Sequence, residues 1–287
     1  MSNGFAWRPG EHDWVQIWRE MYESERNQGE SATHPDMHRS ADQYATAAAR
    51  YARNVKRVPQ PDAFMRWLIP QVSVGSTVLD IGAGSGRYVA PLAQAGMHVK
   101  ALEQSPAMRE QIGVVVNEHQ LTSVEVIAES WPTTQPIACD VAMAAHVLYA
   151  VRDIAPFVQA MHESARSMCV ILLGVRHPTT PVLPLWHAYY GYERLPLPGA
   201  LECVGALAQL GIAANVHILP SPAPISYASL DEAATEMCYR LRLPYGAPYQ
   251  QQLADLIARD WMIDADGSVT SPHIPPPHAA IWWRTDV

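Results

Sequence analysis

Thr77 to Val89 reads T-V-L-D-I-G-A-G-S-G-R-Y-V, a short apolar strand, a glycine turn and the start of a helix. Val78, Leu79 and Ile81 form the continuous apolar run that fills a central parallel strand. Asp80 interrupts the run near its C-terminal end, where a charge needs a purpose or a partner. Gly82, Gly84 and Gly86 let the backbone turn sharply and approach a ligand without Cβ atoms in the way. Such a ligand sits at the carboxyl edge of a sheet, beside a helix N-terminus. The dinucleotide fingerprint G-x-G-x-x-G packs its helix with the third glycine. Here the pattern is G-x-G-x-G, and Arg87 stands where that third glycine would fall.

A helix over Tyr88–Ala95 leads to a second strand, G-M-H-V-K-A-L-E, which ends in Glu103. An acid about 20 residues beyond the turn can accept two hydrogen bonds from a ribose diol. Ser105, Pro106 and Glu110 also begin a helix well, and the cap and the ligand use different atoms. A third strand, V-E-V-I-A-E, ends in Glu129, with Ser130 and Trp131 after it. The fourth, Cys139 to His146, continues into V-L-Y-A-V-R-D. Asp153–Arg166 has helical spacing, and S-M-C-V-I-L-L-G-V reads as a fifth buried strand.

D-x-G-x-G-x-G after an apolar strand, followed by E-Q-S-P-A-M, resembles the class I S-adenosylmethionine-dependent methyltransferases. The resemblance covers roughly Val74 to Val175. It implies a Rossmann-like α/β fold. The expected sheet has seven mostly parallel strands with the last antiparallel, an N-terminal helical cap, and a helical insertion between the last two strands. It implies S-adenosylmethionine as cofactor, S-adenosylhomocysteine as product and no metal. The cofactor-binding residues it implies begin with Asp80, Gly82, Ala83, Gly84 and Gly86 under the methionine part. Glu103 is assigned to the ribose, and Gln104, Met108, Glu129, Ser130 and Trp131 to the adenine; the other reading of Glu129 is a surface acid, and of Trp131 a partly buried indole. His146 is placed beside the sulfonium and adenosine; its other reading is a hydrogen-bonded core histidine.

The end of the fourth strand narrows the acceptor. It lacks the [D/N]-P-P-[Y/F/W] of nucleobase amino methylation, the clustered acids of a magnesium-dependent type, and a P-C dipeptide. H-V-L-x-x-V, from His146 to Val151, resembles the small-molecule methyltransferases, including the quinone-biosynthesis type. Direct in-line methyl transfer to an oxygen, nitrogen or carbon nucleophile is the expected reaction. The alternatives are an NAD-dependent oxidoreductase, which the shortened glycine pattern argues against, and a non-catalytic regulatory protein that keeps the cofactor pocket.

A net charge of -8 over 287 residues argues against a protein that grips a nucleic-acid backbone. No apolar run is long enough for a transmembrane helix, and the opening residues lack signal-peptide character. With no C-x-x-C among four cysteines, a reducing cytoplasm is the expected location. The expected partner is a small-molecule acceptor, with neither nucleic acid nor membrane.

Residues 1–70 read as the helical cap, and 71–287 as the methyltransferase domain. The cap has three helical stretches, one carrying Trp14, Trp18 and Tyr22, a second carrying Tyr44, and a third from Pro61. The first stripe suits either a pocket lining or a buried face. Between the first two helices, a lid loop hinged at Gly29 is expected; His34, Asp36 and His38 lack a further ligand cluster for a metal. An inserted loop, 176–199, interleaves prolines with histidine and aromatic residues. Tyr44, Tyr149, Trp186, His187 and Tyr190 are the candidate acceptor-binding residues. His187, an imidazole titrating near neutrality, and His146 are the candidate catalytic ones. A helical insertion over 229–262, opened by Ser229 and Glu232, is open to either role, part of a lid or a homodimer contact.

Overall fold

The computed structural model describes residues 12–35, 61–177 and 182–286. Tyr44 and its helical stretch, together with Asp36 and His38, lie outside the described residues.

Five strands run parallel through the middle of the molecule: β1 (Thr77–Ile81), β2 (His98–Leu102), β3 (Val124–Ile127), β4 (Cys139–Ala145) and β5 (Ala165–Gly174). β6 (Asn215–Ile218) forms the far edge, and β10 (His278–Arg284) lies antiparallel between β5 and β6. The sheet order is β3-β2-β1-β4-β5-β10-β6, the mostly parallel arrangement with an antiparallel last strand that the sequence implies. β1 and β4 bury nearly every residue because both faces are covered. Leu79 and Ile81 meet one layer, built by α1 (Trp14–Ala32), α5 (Ile154–Ser164) and α7 (Ala200–Gln209). Val78 meets the other, built by α2 (Ala63–Leu68), α3 (Val89–Gln94) and α4 (Pro106–Glu118). Strand periodicity puts Asp80 on the side of Val78.

α1 starts at Asp13, whose side chain accepts from the Gln16 N–H, and it joins the core rather than standing apart as a cap. Trp18 is 0% exposed, and its indole N–H donates to the Val151 carbonyl at 2.8 Å. Trp14 packs on Gly205 of α7, so these two members of the aromatic stripe belong to a buried face.

α1 also runs on through Gly29 to Ala32, so the hinge expected at Gly29 is absent. Gly29 is needed for a different reason: the Arg242 guanidinium lies where its Cβ would be. Arg242 and Arg194 converge on Glu25 of α1, at 3.8 Å for the Arg242 Nη2 and 3.0 Å for the Arg194 Nε. This buried cluster fastens α1 to the segment after β5 and to the end of α8 (Leu230–Arg240).

The stretch expected as a loop over 176–199 contains α6 (Leu183–Tyr190), which ends at Gly191 with φ of 76°. Its prolines do not forbid a helix, because Pro184 falls in the first turn, where no N–H is required. α8 and α9 (Tyr249–Asp260) confirm helices in the insertion, and Ser229 caps α8 by accepting from the Glu232 N–H. A small sheet not foreseen from the sequence accompanies them, ordered β7-β9-β8. Its strands are β7 (Ser226–Tyr227), β8 (Met262–Ile263) and β9 (Val269–Thr270). Two-residue strands show no alternation to read.

Candidate cofactor and acceptor site

The turn after β1 is tied to β2 by the Leu102 carbonyl, which accepts from the N–H groups of Gly82 (2.8 Å) and Ala83 (3.0 Å). Gly82, Gly84 and Gly86 all have positive φ, at 68°, 57° and 85°. At Gly82 a Cβ would also come within 2.8 Å of the Val147 Cγ2, so both the conformation and the close approach require glycine.

Glu103, buried just past β2, steadies this turn. One carboxylate oxygen accepts from the Gly84 N–H at 2.9 Å, and the other from the Ser105 N–H at 2.8 Å. Each oxygen keeps a further lone pair. Ser105 caps α4 through the Met108 N–H, so the cap and the acid do use different atoms. Met108 is buried behind them.

Asp80 is 1% exposed, and its Oδ2 has no hydrogen-bond partner. Burial, and then the negative charge of Glu103, push its carboxyl up to about 7.

Past β2 and β3, the Ser130 hydroxyl donates to the Gln104 side chain at 3.1 Å, joining the two strand tips. Both residues are exposed, as is Glu129. The Trp131 indole N–H donates to the Phe157 carbonyl at 3.1 Å, and the two rings meet edge-on.

His146 follows β4 with φ of 61°, a left-handed conformation that is strained for histidine. Its N–H is bonded to the Leu172 carbonyl of β5. The Tyr149 ring stacks with the imidazole at a centroid distance of 6.0 Å, while the Tyr149 hydroxyl accepts from the Gly174 N–H at 2.6 Å. His177, just beyond β5, meets Tyr149 edge-on at 4.6 Å. His278 opens β10 opposite Gly174 and meets His146 edge-on at 4.8 Å. Burial lowers the basicity of all three imidazoles, pushing His177 down to about 3. Arg87, ion-paired at 2.7 Å with Asp62 at the N-cap of α2, faces this cluster from the glycine turn.

The structure thus gathers Asp80, the glycines, Glu103, His146 and Tyr149 along one sheet edge. It does not bring the expected residues of α6 to that edge. Trp186 is fully buried in the core of the insertion under the Arg194 guanidinium, so it cannot line a pocket. The Tyr190 hydroxyl is committed to the carbonyls of Leu241 and Ala32. His187 is exposed and 3.1 Å from Glu193. The helical period of α6 turns these side chains toward α1, α8 and solvent, which a loop reading misses.

The sequence reading missed His177, His278 and Arg87. For His278 a signal existed: three prolines, 275 to 277, precede it and fix where the last strand begins. Among the described residues no group of three or more His, Cys, Asp or Glu is arranged to hold a metal ion, and no helix is long and apolar enough to cross a membrane.

Comparison with known proteins agrees with this layout. Residues 79–172 match the family described as "Methyltransferase domain". Among curated proteins, the chain is 34% identical over 87 residues to the 23S rRNA (uracil(1939)-C(5))-methyltransferase RlmD of Halomonas elongata. That stretch is 26% of this chain and only 18% of the relative's length. Among solved structures, a putative methyltransferase from Bacillus halodurans superposes with a TM-score of 0.53 at 12% identity, covering 78% of this chain and 99% of that one. The Haemonchus contortus phosphoethanolamine N-methyltransferase 2, solved with phosphomonomethylethanolamine and S-adenosylhomocysteine, gives 0.50 at 14% identity, covering 84% and 57%. Such identities speak for the fold alone. Motif order, sheet topology and the domain match converge: residues 79–172 carry a methyltransferase domain, and the sheet around them has the fold of the class I S-adenosylmethionine-dependent methyltransferases.

Proposed function

We propose that this protein transfers a methyl group from S-adenosylmethionine to a small-molecule acceptor bearing an oxygen, nitrogen or carbon nucleophile. The cofactor, when bound, supplies an electrophilic methyl group on a sulfonium. The observation that carries the reading is the Asp80 carboxylate, buried beneath an open glycine turn with one oxygen unpartnered. An uncompensated buried carboxylate is costly. The ammonium at the amino-acid end of the cofactor would pair it. Gly82, Ala83, Gly84 and Gly86 allow the close approach this needs. Glu103 keeps lone pairs for the ribose hydroxyls, beyond the two N–H groups it already accepts. Met108 and the joined Gln104–Ser130 pair flank the adenine position, with Glu129 beside them. Trp131 contributes its ring face, because its N–H is spent on Phe157. His146 and Tyr149 face the acceptor. Positioning two partners in line can remove roughly 7–11 kcal/mol from the barrier, so no covalent catalyst is needed.

The cysteines support direct transfer over a thiol nucleophile. All four are buried, and burial raises each thiol, Cys139 to about 12.

Asp80 gives the test. Its raised carboxyl is mostly protonated at pH 5, whereas the bound ammonium favours the charged form. Affinity for S-adenosylhomocysteine should therefore rise between pH 5 and pH 7, by up to about tenfold per unit, with proton release. Calorimetry in buffers of different ionisation enthalpy reads both quantities. Asp80→Asn should flatten the slope; a flat wild-type profile removes Asp80 from this role. The same shift makes the ligand-free fold less stable as pH rises from about 4 to about 7, because the folded state binds the extra proton there.

Gly82→Ala is expected to cost about 1–3 kcal/mol of stability, since alanine must adopt φ of 68° against Val147. Thermal unfolding with and without S-adenosylhomocysteine would show a lowered Tm and a smaller ligand-induced rise.

A further inference from the structure

His146 and His278 are neighbours without obvious structural employment. Their rings touch edge-on at 4.8 Å, yet among the described residues neither imidazole makes a side-chain hydrogen bond. Both are only partly buried, beside the carboxyl edge of the sheet. Neither imidazole has a nitrogen among the buried unpartnered atoms, so both can exchange solvent for a hydrogen bond from a bound molecule.

The surroundings define the chemistry of that partner. Tyr149 stacks on His146 and is held by Gly174, and His177 packs against Tyr149. Arg87 faces both His146 and His278, and Asp62, the carboxylate near His278, is ion-paired with Arg87. His177 is faced in addition by Arg194 and Arg240. Around His146 and His278 the described residues thus offer imidazoles, a phenol and a guanidinium; of the nearby carboxylates, Asp62 is paired with Arg87, and Asp80 lies under the glycine turn, where it is assigned to the cofactor's ammonium. They suit a group that donates a hydrogen bond and carries no positive charge.

We propose that His278, set edge-on to His146, accepts the hydrogen bond of a hydroxyl-bearing acceptor and takes its proton during methyl transfer, with His146 as its positioning residue. The acceptor class is a phenol- or enol-like hydroxyl compound, not an amine carried as ammonium. This rests on the reading given under Proposed function.

In the step, the acceptor O–H proton passes to the bare nitrogen of His278 and from there to water. The O–H electron pair becomes the new oxygen–carbon bond, and the pair of the broken carbon–sulfur bond stays on the donor's sulfur. One positive charge disappears from sulfur as one appears on the imidazole, so the crevice never carries both. Burial and Arg87 disfavour the charged form of both histidines, but burial weighs more on His146, and Asp62 offsets part of the effect at His278, which leaves His278 the better proton acceptor.

The test uses the full chain labelled with 15N-histidine and saturated with S-adenosylhomocysteine. Long-range 1H–15N spectra follow the imidazole nitrogens as phenol, or separately benzylamine, is added. Phenol should shift the His278 nitrogens and benzylamine should leave them unmoved. His278→Asn assigns the signals. It should bind S-adenosylhomocysteine within about twofold of wild type and phenol at least about tenfold more weakly, the scale of one lost hydrogen bond. His278→Gln serves if that variant fails to fold, and His187→Gln, altered on the exposed face of α6, should keep the full response. No His278 response to phenol, or an equal or greater one to benzylamine, overturns the inference while leaving the cofactor site standing. Failure of the wild type to bind S-adenosylhomocysteine at all overturns the reading beneath it.

Discussion

Replacing Glu25 by glutamine is expected to lower the unfolding free energy by about 3–5 kcal/mol. The Glu25 and Arg194 side chains are only 5% and 8% exposed, and Arg242 joins them from the end of α8. Without the carboxylate, two guanidinium groups face each other in a place where water screens them poorly. The Trp186 ring beneath Arg194 cannot replace an anion. Chemical denaturation measures the loss directly. A change below about 1 kcal/mol would show that the cluster behaves like a solvent-exposed ion pair. Because the cluster binds α1 to α8, the variant should also lose cooperativity, with the insertion opening before the main sheet. Hydrogen exchange on α8 and α9 resolves that order.

The second large effect belongs to Glu103→Ala. It should weaken binding of S-adenosylhomocysteine by about 1.5–3 kcal/mol, the range for hydrogen bonds to a charged group. It also strips two backbone donors, at Gly84 and Ser105, of their acceptor. Glu103→Gln retains one acceptor oxygen and should fall between alanine and wild type. Calorimetric titration of the three proteins gives the order, and an affinity unchanged in the alanine variant would detach Glu103 from the ribose.

The sheet was legible because its strands are buried on both faces. Val78-Leu79 and the run Val170–Leu173 leave no alternative to a central parallel strand. The glycine turn was legible because three positive φ angles at this spacing require glycine. The histidine cluster beside the glycine turn was not. Its residues reach one place from β4, β5 and β10, which lie far apart in sequence and come together only through topology. His187 drew attention by sitting among aromatic residues, whereas the helical period of α6 turns it away from the crevice. His278 looked like the first residue of an ordinary strand. Gly29 showed the same weakness of local reading. A glycine beside polar residues suggests a hinge, but here it makes room for a guanidinium arriving from Arg242.

One consequence of the sheet order concerns biosynthesis. β5 and β6 are both waiting for β10, and β10 is the last strand to be made. On the ribosome, the apolar edge of Val170, Ile171 and Leu172 stays unpaired while more than a hundred further residues are translated. Such a bare edge invites pairing with other nascent chains. Arrival of β10 closes that edge and delivers His278 in the same movement, so a chain stalled before it would hold the glycine turn yet lack the ring that meets His146.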